Sequence, residues 1–360
     1  MRTAVILIVV GVISAINGSI NGVNAASCTS NQDCSLNGVC TTSTGACVCD
    51  TPWSGVACGT LSFAATTPAA GKSIIADVAP LNTWNGPVVT DTNGKLHIYV
   101  PLYRKGSLGG PTTIKHGLAD VMTGPWDFTT LPDITVVVGE NPAAVVYTDP
   151  TSGEVVYSLW VGGIILVAKS AYGPFTPTGF KYVGGNPAPV YHNGAFYMVN
   201  QGTQVVYTTP MITNPKGQWT VYANISHAAI VDPNYHVEDP FLWVDKRGNW
   251  HIINHAYNNS EFDSCAKSSL SSHFYSADGK GWAFGKQPYS HTVNYDDGTS
   301  HTYVTLERPN IHFDATGQMT HINLAADVVT GNEGCENRTD HAHNGHTPCD
   351  NWCVSLSLRT

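Results

Sequence analysis

The sequence predicts an all-β chain: a five-bladed β-propeller behind a small, disulfide-rich N-terminal module. Three observations carry that prediction. One grammar of strand, turn and aromatic residue recurs five times after residue 80. Six of the ten cysteines crowd into residues 28–58. The composition is turn-rich, with 35 glycines and 21 prolines, yet 42% of the 360 residues are apolar, enough for a core. Few side chains are charged, 17 Lys and Arg against 26 Asp and Glu, which excludes a coiled coil. The formal net charge of −9 leaves no basic stripe, so no nucleic-acid partner is expected.

The chain opens on Arg2, the apolar run Ala4 to Ile13, and the small residues Val23, Ala25 and Ala26. These are the three regions of a secretory signal peptide, placed at residues 1–26. The run is too short to span a bilayer, and no later stretch reaches 18 apolar residues. A secreted, extracellular protein with no membrane span is expected.

The module occupies residues 27–59, with the spacing C-x5-C-x5-C-x6-C-x-C-x8-C over Cys28, Cys34, Cys40, Cys47, Cys49 and Cys58. So short a segment builds no core, and crosslinks must stabilise it. Spacing alone leaves 15 pairings open. A zinc site competes with disulfides, though thiolate sites are uncommon in oxidising space. The C-x-C followed by Trp53-Ser54-Gly55-Val56-Ala57-Cys58 resembles an EGF-like module. That resemblance implies Cys28–Cys40, Cys34–Cys47 and Cys49–Cys58, and suggests a protein partner for the module. Asn31-Gln32-Asp33 lacks the paired acidic residues of calcium-binding EGF modules, so calcium is not expected there.

From residue 60 to 360 the repeat takes over. Its five prolines, Pro87, Pro142, Pro187, Pro240 and Pro309, stand 55, 45, 53 and 69 residues apart. Each precedes an apolar run, a Gly turn and an aromatic-rich strand, which is a β-hairpin signal. A turn and a large aromatic follow in four repeats, at Trp126, Phe175, Trp219 and Trp282, suiting an outer strand whose ring packs between blades. All-β repeats of this period mean a propeller. The alternative is a β-sandwich with coincidental hairpins.

In a propeller the first strand of each blade lines the channel, so the residues before the prolines should ring one mouth: Gly86, Asn141, Asn186, Asp239 and Arg308. Extended backbone is expected at these positions. Asn85, Glu140, Gly185, Glu238 and Glu307 stand close behind. With Trp84 and Trp243 nearby, such a ring offers what sugar hydroxyls and pyranose faces need, although the same groups could simply cap strands and pair with one another.

These residues carry a family resemblance over about residues 75 to 330. Ala188-Pro189-Val190-Tyr191-His192-Asn193-Gly194-Ala195-Phe196-Tyr197 is similar to the A-P-D-x-x-Y-H-x-G-x-[FY]-Y stretch of the five-bladed glycoside hydrolase family 43 and its arabinanase, levansucrase and invertase-like relatives. Glu238-Asp239-Pro240 is similar to that family's E-G-P motif, which implies Glu238 as general acid. Two departures stand out. The first-blade base aspartate is replaced by Asn85-Gly86-Pro87, and no carboxylate stands near Val190 where the family tunes its acid. An inverting hydrolase needs a base about 6.5–9.5 Å from its acid. Asp77, Glu140, Asp239 and Glu307 are the candidates, and Glu238, Asp239 and Glu307 form the expected catalytic set. Asn85, Asn141, Asn186, Trp84, Trp243, His255 and Arg308 are the expected substrate-binding set. The resemblance also implies Ca2+ in the channel through a histidine, for which His255 is the choice among 15.

The tail, about residues 331 to 360, holds Cys335, Cys349 and Cys353, which with Cys265 form an even set open to three pairings. Asp340-His341-Ala342-His343-Asn344-Gly345-His346 has ligands for zinc or copper, or forms a polar loop between disulfides. Glycosylation sequons begin at Asn224, Asn258 and Asn337. Two functions are compatible with the whole: a secreted hydrolase of plant- or algal-type polysaccharide (arabinan- or xylan-like), or a non-catalytic glycan-binding or matrix protein on the same propeller.

Overall fold

The computed structural model describes residues 27–65, 81–104, 113–136, 141–182, 184–201, 205–225, 235–258, 270–303, 305–327 and 351–360. The expected signal peptide, Asp77, Glu140, Cys265, Cys335, Cys349, Asn337 and the histidine-rich stretch of the tail lie outside them.

The module folds as a 3-10 turn (Asn31–Cys34), a hairpin of β1 (Gly38–Thr41) and β2 (Ala46–Cys49), and a short pair, β3 (Trp53–Ser54) and β4 (Thr60–Leu61). Its disulfides are Cys28–Cys40, Cys34–Cys47 and Cys49–Cys58. They draw the backbone together so closely that a Cβ on Gly38 would sit 2.5 Å from the Val48 carbonyl oxygen and 2.8 Å from Cys58 Sγ. Glycine is required there by space.

Five antiparallel sheets follow. Blade 1 is built from β5 (Leu81–Thr83), β6 (Val88–Thr90), β7 (Leu96–Arg104), β8 (Thr113–Ala119) and β9 (Ile134–Thr135), with β5 and β6 both pairing β7. Blade 2 holds β10 (Ala143–Thr148), β11 (Val155–Val161), β12 (Ile164–Ala168) and β13 (Thr176–Lys181). Blade 3 holds β14 (Ala188–His192), β15 (Ala195–Val199), β16 (Val205–Thr209) and β17 (Thr220–Asn224). Blade 4 holds β18 (Tyr235–Val244), β19 (Trp250–Asn258), β20 (Leu270–Ser276) and β21 (Trp282–Phe284). A separate hairpin, β22 (Thr292–Asn294) and β23 (Ser300–Thr302), leads to blade 5: β24 (Thr305–Phe313), β25 (Met319–Asp327) and β26 (Asn351–Ser357). The segment before blade 1 extends this last sheet. Phe63 pairs with Leu358, the Ala64 N–H donates to the Ser357 carbonyl, and the Arg359 N–H donates to that of Ser62.

Four of the five inner hairpins share one device, and blade 3 turns through Asn193-Gly194 instead. Asp91, Asp245 and Asp314 each accept the N–H of residues two and four positions on through Oδ1, and Asp149 does so two and three on. A glycine at positive φ completes each turn, at Gly94, Gly153, Gly248 and Gly317. Apolar clusters fill the spaces between blades. The outer-strand rings pack there as predicted: Phe175 of blade 2 lies edge-on to Tyr99 of blade 1 at 5.5 Å, and Trp219 of blade 3 lies 5.8 Å from Trp160 of blade 2.

The backbone before the prolines differs from expectation. Asn141, Asn186, Asp239 and Arg308 all have positive φ, between 47° and 54°, and blade 1 places the same conformation at Asn85 (φ 44°) rather than Gly86. In blades 4 and 5 the residue and its proline form a bulge, since pairing skips from Glu238 to Phe241 and from Glu307 to Asn310. Asparagine and aspartate tolerate this region better than most residues, whereas Arg308 is held in it by its surroundings.

Candidate functional site at the channel mouth

The left-handed turns aim side chains at the axis, where they bind one another. Asn141 Nδ2 donates to Asn186 Oδ1, and Asn186 Nδ2 donates to Asp239 Oδ1. The Arg308 guanidinium approaches Asp239 Oδ1 at 3.3 Å and donates to the Pro142 carbonyl at 3.2 Å, closing the circle. Asn85 joins through the backbone: its Nδ2 donates to the carbonyls of Arg308 (2.7 Å) and Asn323 (2.9 Å), while Cys353 Sγ lies 3.1 Å from its Oδ1. Asn85 is fully buried, and Asp239 and Arg308 nearly so. The ring is thus a seal that ties all five blades. As an amide already donating to two carbonyls, Asn85 offers neither a base nor an exposed sugar contact.

A second, partly exposed layer sits on the strands of blades 4 and 5. Glu238 on β18 lies opposite His255 on β19, and Glu307 is on β24. His255 Nδ1 is 3.4 Å from Glu238 Oε1 and 3.8 Å from Glu307 Oε2. Gln201 Nε2, just beyond β15, donates to Glu238 Oε2 at 2.6 Å. Burial alone would lower the pKa of His255, but Glu307, Glu238 and Asp239 outweigh it and raise it to about 9. Burial, together with Glu238, raises that of Asp239, against the pull of Arg308 and His255. Three carboxylates are therefore gathered around two cations, the His255 imidazolium and Arg308.

One ligand atom from each of Glu238, Asp239, His255 and Glu307 lies within 4.8 Å of the others. Carboxylates suit a hard cation such as Ca2+. Here, however, His255 holds a proton and Asp239 accepts from Arg308 and Asn186, so calcium coordinated by His255 would have to displace that proton. The same crowding leaves no acid–base pair among these carboxylates at the separation inversion needs.

The other expected residues are distributed as follows. Trp84 is half-buried beside Asn85. Trp243 corrects expectation: it is 4% exposed and stacked on His251 at 4.9 Å in the core of blades 4 and 5, with no face for a sugar. Asn224 is exposed on β17, as a glycosylation acceptor must be, and Asn258 ends β19. Sequence reasoning missed Gln201, for which no motif signals, and Tyr289. The Tyr289 hydroxyl is buried without a hydrogen-bond partner among the described residues, and burial, Asp239 and Glu307 push its pKa up.

Beyond the ring the channel widens into a cavity of about 530 Å³ lined by the inner strands, mainly by Pro, Val, Ala, Ile and Phe side chains, with Asp91, His312 and Asp314 at the opposite end.

No protein-family model and no curated protein matches the sequence. Among solved structures, the fold is similar to a thermostable family-43 glycoside hydrolase (TM-score 0.48, 11% identity, 78% of this chain and 91% of that one). It is also similar to a family 117 glycoside hydrolase produced by the marine bacterium Zobellia galactanivorans (0.48, 11%, 83% and 90%). An endo-arabinase from Bacteroides thetaiotaomicron VPI-5482 is a third (0.45, 12%, 80% and 98%). The chain is an all-β, five-bladed propeller carrying a disulfide-rich N-terminal module.

Proposed function

We propose that the protein is a secreted, carbohydrate-active propeller that holds an arabinan- or xylan-like chain of plant or algal type over Glu238, Glu307 and His255. The observation that carries this reading is the pairing of two partly exposed carboxylates about one imidazole at the channel mouth. Glu238 is the acid in a hydrolytic version and Glu307 its partner. With their nearest oxygens within 4.8 Å, that pair is closer to the spacing of a retaining than of an inverting hydrolase. Three disulfides belong to an oxidising environment, and no helix among the described residues is long and apolar enough to cross a membrane. A protein partner for the module would use the face where Val39 and Val48 lie opposite each other, both exposed.

A second reading, glycan binding without turnover, is favoured by one observation: the position where the family keeps its base is Asn85, buried and committed to two carbonyls. A polysaccharide array followed by a substrate panel separates the two. Sugar release abolished by Glu238→Gln, with binding kept, establishes the hydrolase; binding with no release from any substrate establishes the lectin-like protein. Binding to no glycan overturns both. Calcium is tested apart, by melting the protein with Ca2+ and with a chelator. A Ca2+-dependent rise in Tm that steepens with pH is expected if the ion replaces the His255 proton, and an unchanged Tm removes calcium from the site.

A further inference from the structure

The module is seated on blades 4 and 5 by the same turn that holds a buried chain of histidines. Trp53, 7% exposed, stacks on His273 of β20 with ring centroids 5.1 Å apart. Trp243 lies beyond His273 at 6.2 Å. His273 Nε2 is 3.1 Å from His251 Nδ1, and His251 Nε2 is 3.4 Å from Asp245 Oδ2. Two residues past Asp245, Arg247 pairs with Asp50 of the module and donates to the Leu36 carbonyl. Tyr275 donates to the Gln32 carbonyl at 3.0 Å, and Gln318 donates to that of Thr51. The charged and titratable groups around the histidines are therefore Asp245 and Arg247 from the β18–β19 turn, Tyr275 from β20, Asp50 from the module, and Lys286, whose side chain abuts Gly59.

The hydrogen bonds dictate the protons. If His251 donates from Nε2 to Asp245, its Nδ1 must accept from His273 Nε2. His273 Nδ1 then stays bare, and it has no partner among the described residues. Both rings are buried. One more proton would place an N–H at that Nδ1, which meets the backbone of Gly285 (a Cβ there would lie 3.1 Å away) and no acceptor. Burial depresses both imidazoles, His273 the further, with His251 adding to it.

The geometry points to an acid-operated latch: protonation of the His251–His273 pair releases the Trp53 face of the module from blades 4 and 5. The sign follows from linkage. A pair depressed in the docked state and near 6.5 once exposed stabilises docking fully above about 6.5 and less at each lower pH. For one proton taken up on release, the opening constant rises about tenfold between pH 7.5 and 5.5. The molecule supplies its own control. Blade 1 carries the same chain, Asp91 to His97 (3.6 Å) to His116 (2.8 Å), in a different blade from the one on which Trp53 stacks.

Hydrogen exchange of the full-length protein at pH 7.5, 6.5 and 5.5, corrected for intrinsic rates, tests this. Amides of residues 46–61 and 270–276 should exchange about tenfold faster at the lowest pH, while blades 2 and 3 stay protected. His273→Phe, which keeps a ring against Trp53 without a titrating nitrogen, should abolish the response. Should that variant fold poorly, His273→Gln provides the same neutral test. His116→Phe should leave the response intact. Unchanged protection of the module at pH 5.5 overturns the latch, as does a response that survives in the folded His273 variant. Simultaneous loss of protection across all blades also overturns it, because the histidines would then serve the core alone.

Discussion

Blade 1 and blade 4 enter the channel with the same backbone and opposite chemistry. Asn85 and Asp239 share a left-handed conformation, at φ 44° and 51°. Asn85 is neutral, and its amide hydrogens go to two backbone carbonyls, so it contributes closure alone. Asp239 carries a charge that Arg308 of blade 5 must meet, and the bulge that turns it inward also sets Glu238 opposite His255. Equivalent positions in a repeat fold are thus equivalent in geometry only. Charge is concentrated on blades 4 and 5, whereas the blade 1 residue only ties the ring closed.

The contrast predicts unequal losses, largest first. Asp239→Ala leaves Arg308 buried without its carboxylate and should cost about 3–5 kcal/mol in denaturant unfolding. Asp239→Asn should cost less, because blades 2 and 3 already use asparagine there. If Asp239→Ala costs no more than the corresponding change in blade 1, the contrast is broken. The next effect is on pH. His255 has a folded pKa of about 9, above its unfolded value near 6.5, so its stabilisation is fully present below about 6.5 and disappears as pH rises through 9. Unfolding free energies at pH 7 and 10 should differ by roughly 2.5 kcal/mol from this group, and His255→Gln should flatten the curve. A wild-type profile already flat over that range would mean the imidazole is neutral. Asn85→Ala, which removes two buried hydrogen bonds, should cost about 1–3 kcal/mol with no change in pH dependence. Lys169→Ala removes an exposed pair with Glu154 on blade 2, and its Cm should move by the equivalent of at most about 1 kcal/mol.

The propeller itself was legible because its signals are local. Pro, Asn-Gly and aromatic residues act through φ restriction, turn geometry and burial within a few positions, and five repetitions multiply a weak signal into a strong one. The aspartates that cap the inner turns were equally readable, three or four residues ahead of the turn glycine, though the repeat grammar had left them out. Trp243 was misplaced for a different reason. A tryptophan beside a polar motif looks the same in sequence whether its ring faces a ligand or the core, and only the twist of β18 against blade 5 decides it.

By itself, then, the chain determined the all-β class, the number of blades and the place of each inner-strand proline, because each depends on period and local backbone preference, whereas the cysteine pairing of the module followed from its resemblance to an EGF-like module. Tertiary structure alone decided that the ring seals on itself, that Gln201 comes from blade 3 to hold Glu238, and that His273 meets Trp53 across 220 residues of sequence. Those contacts join positions with no shared periodicity. Their energies come from burying charge and dipole at one point in space, and no spacing along the chain encodes where that point will be.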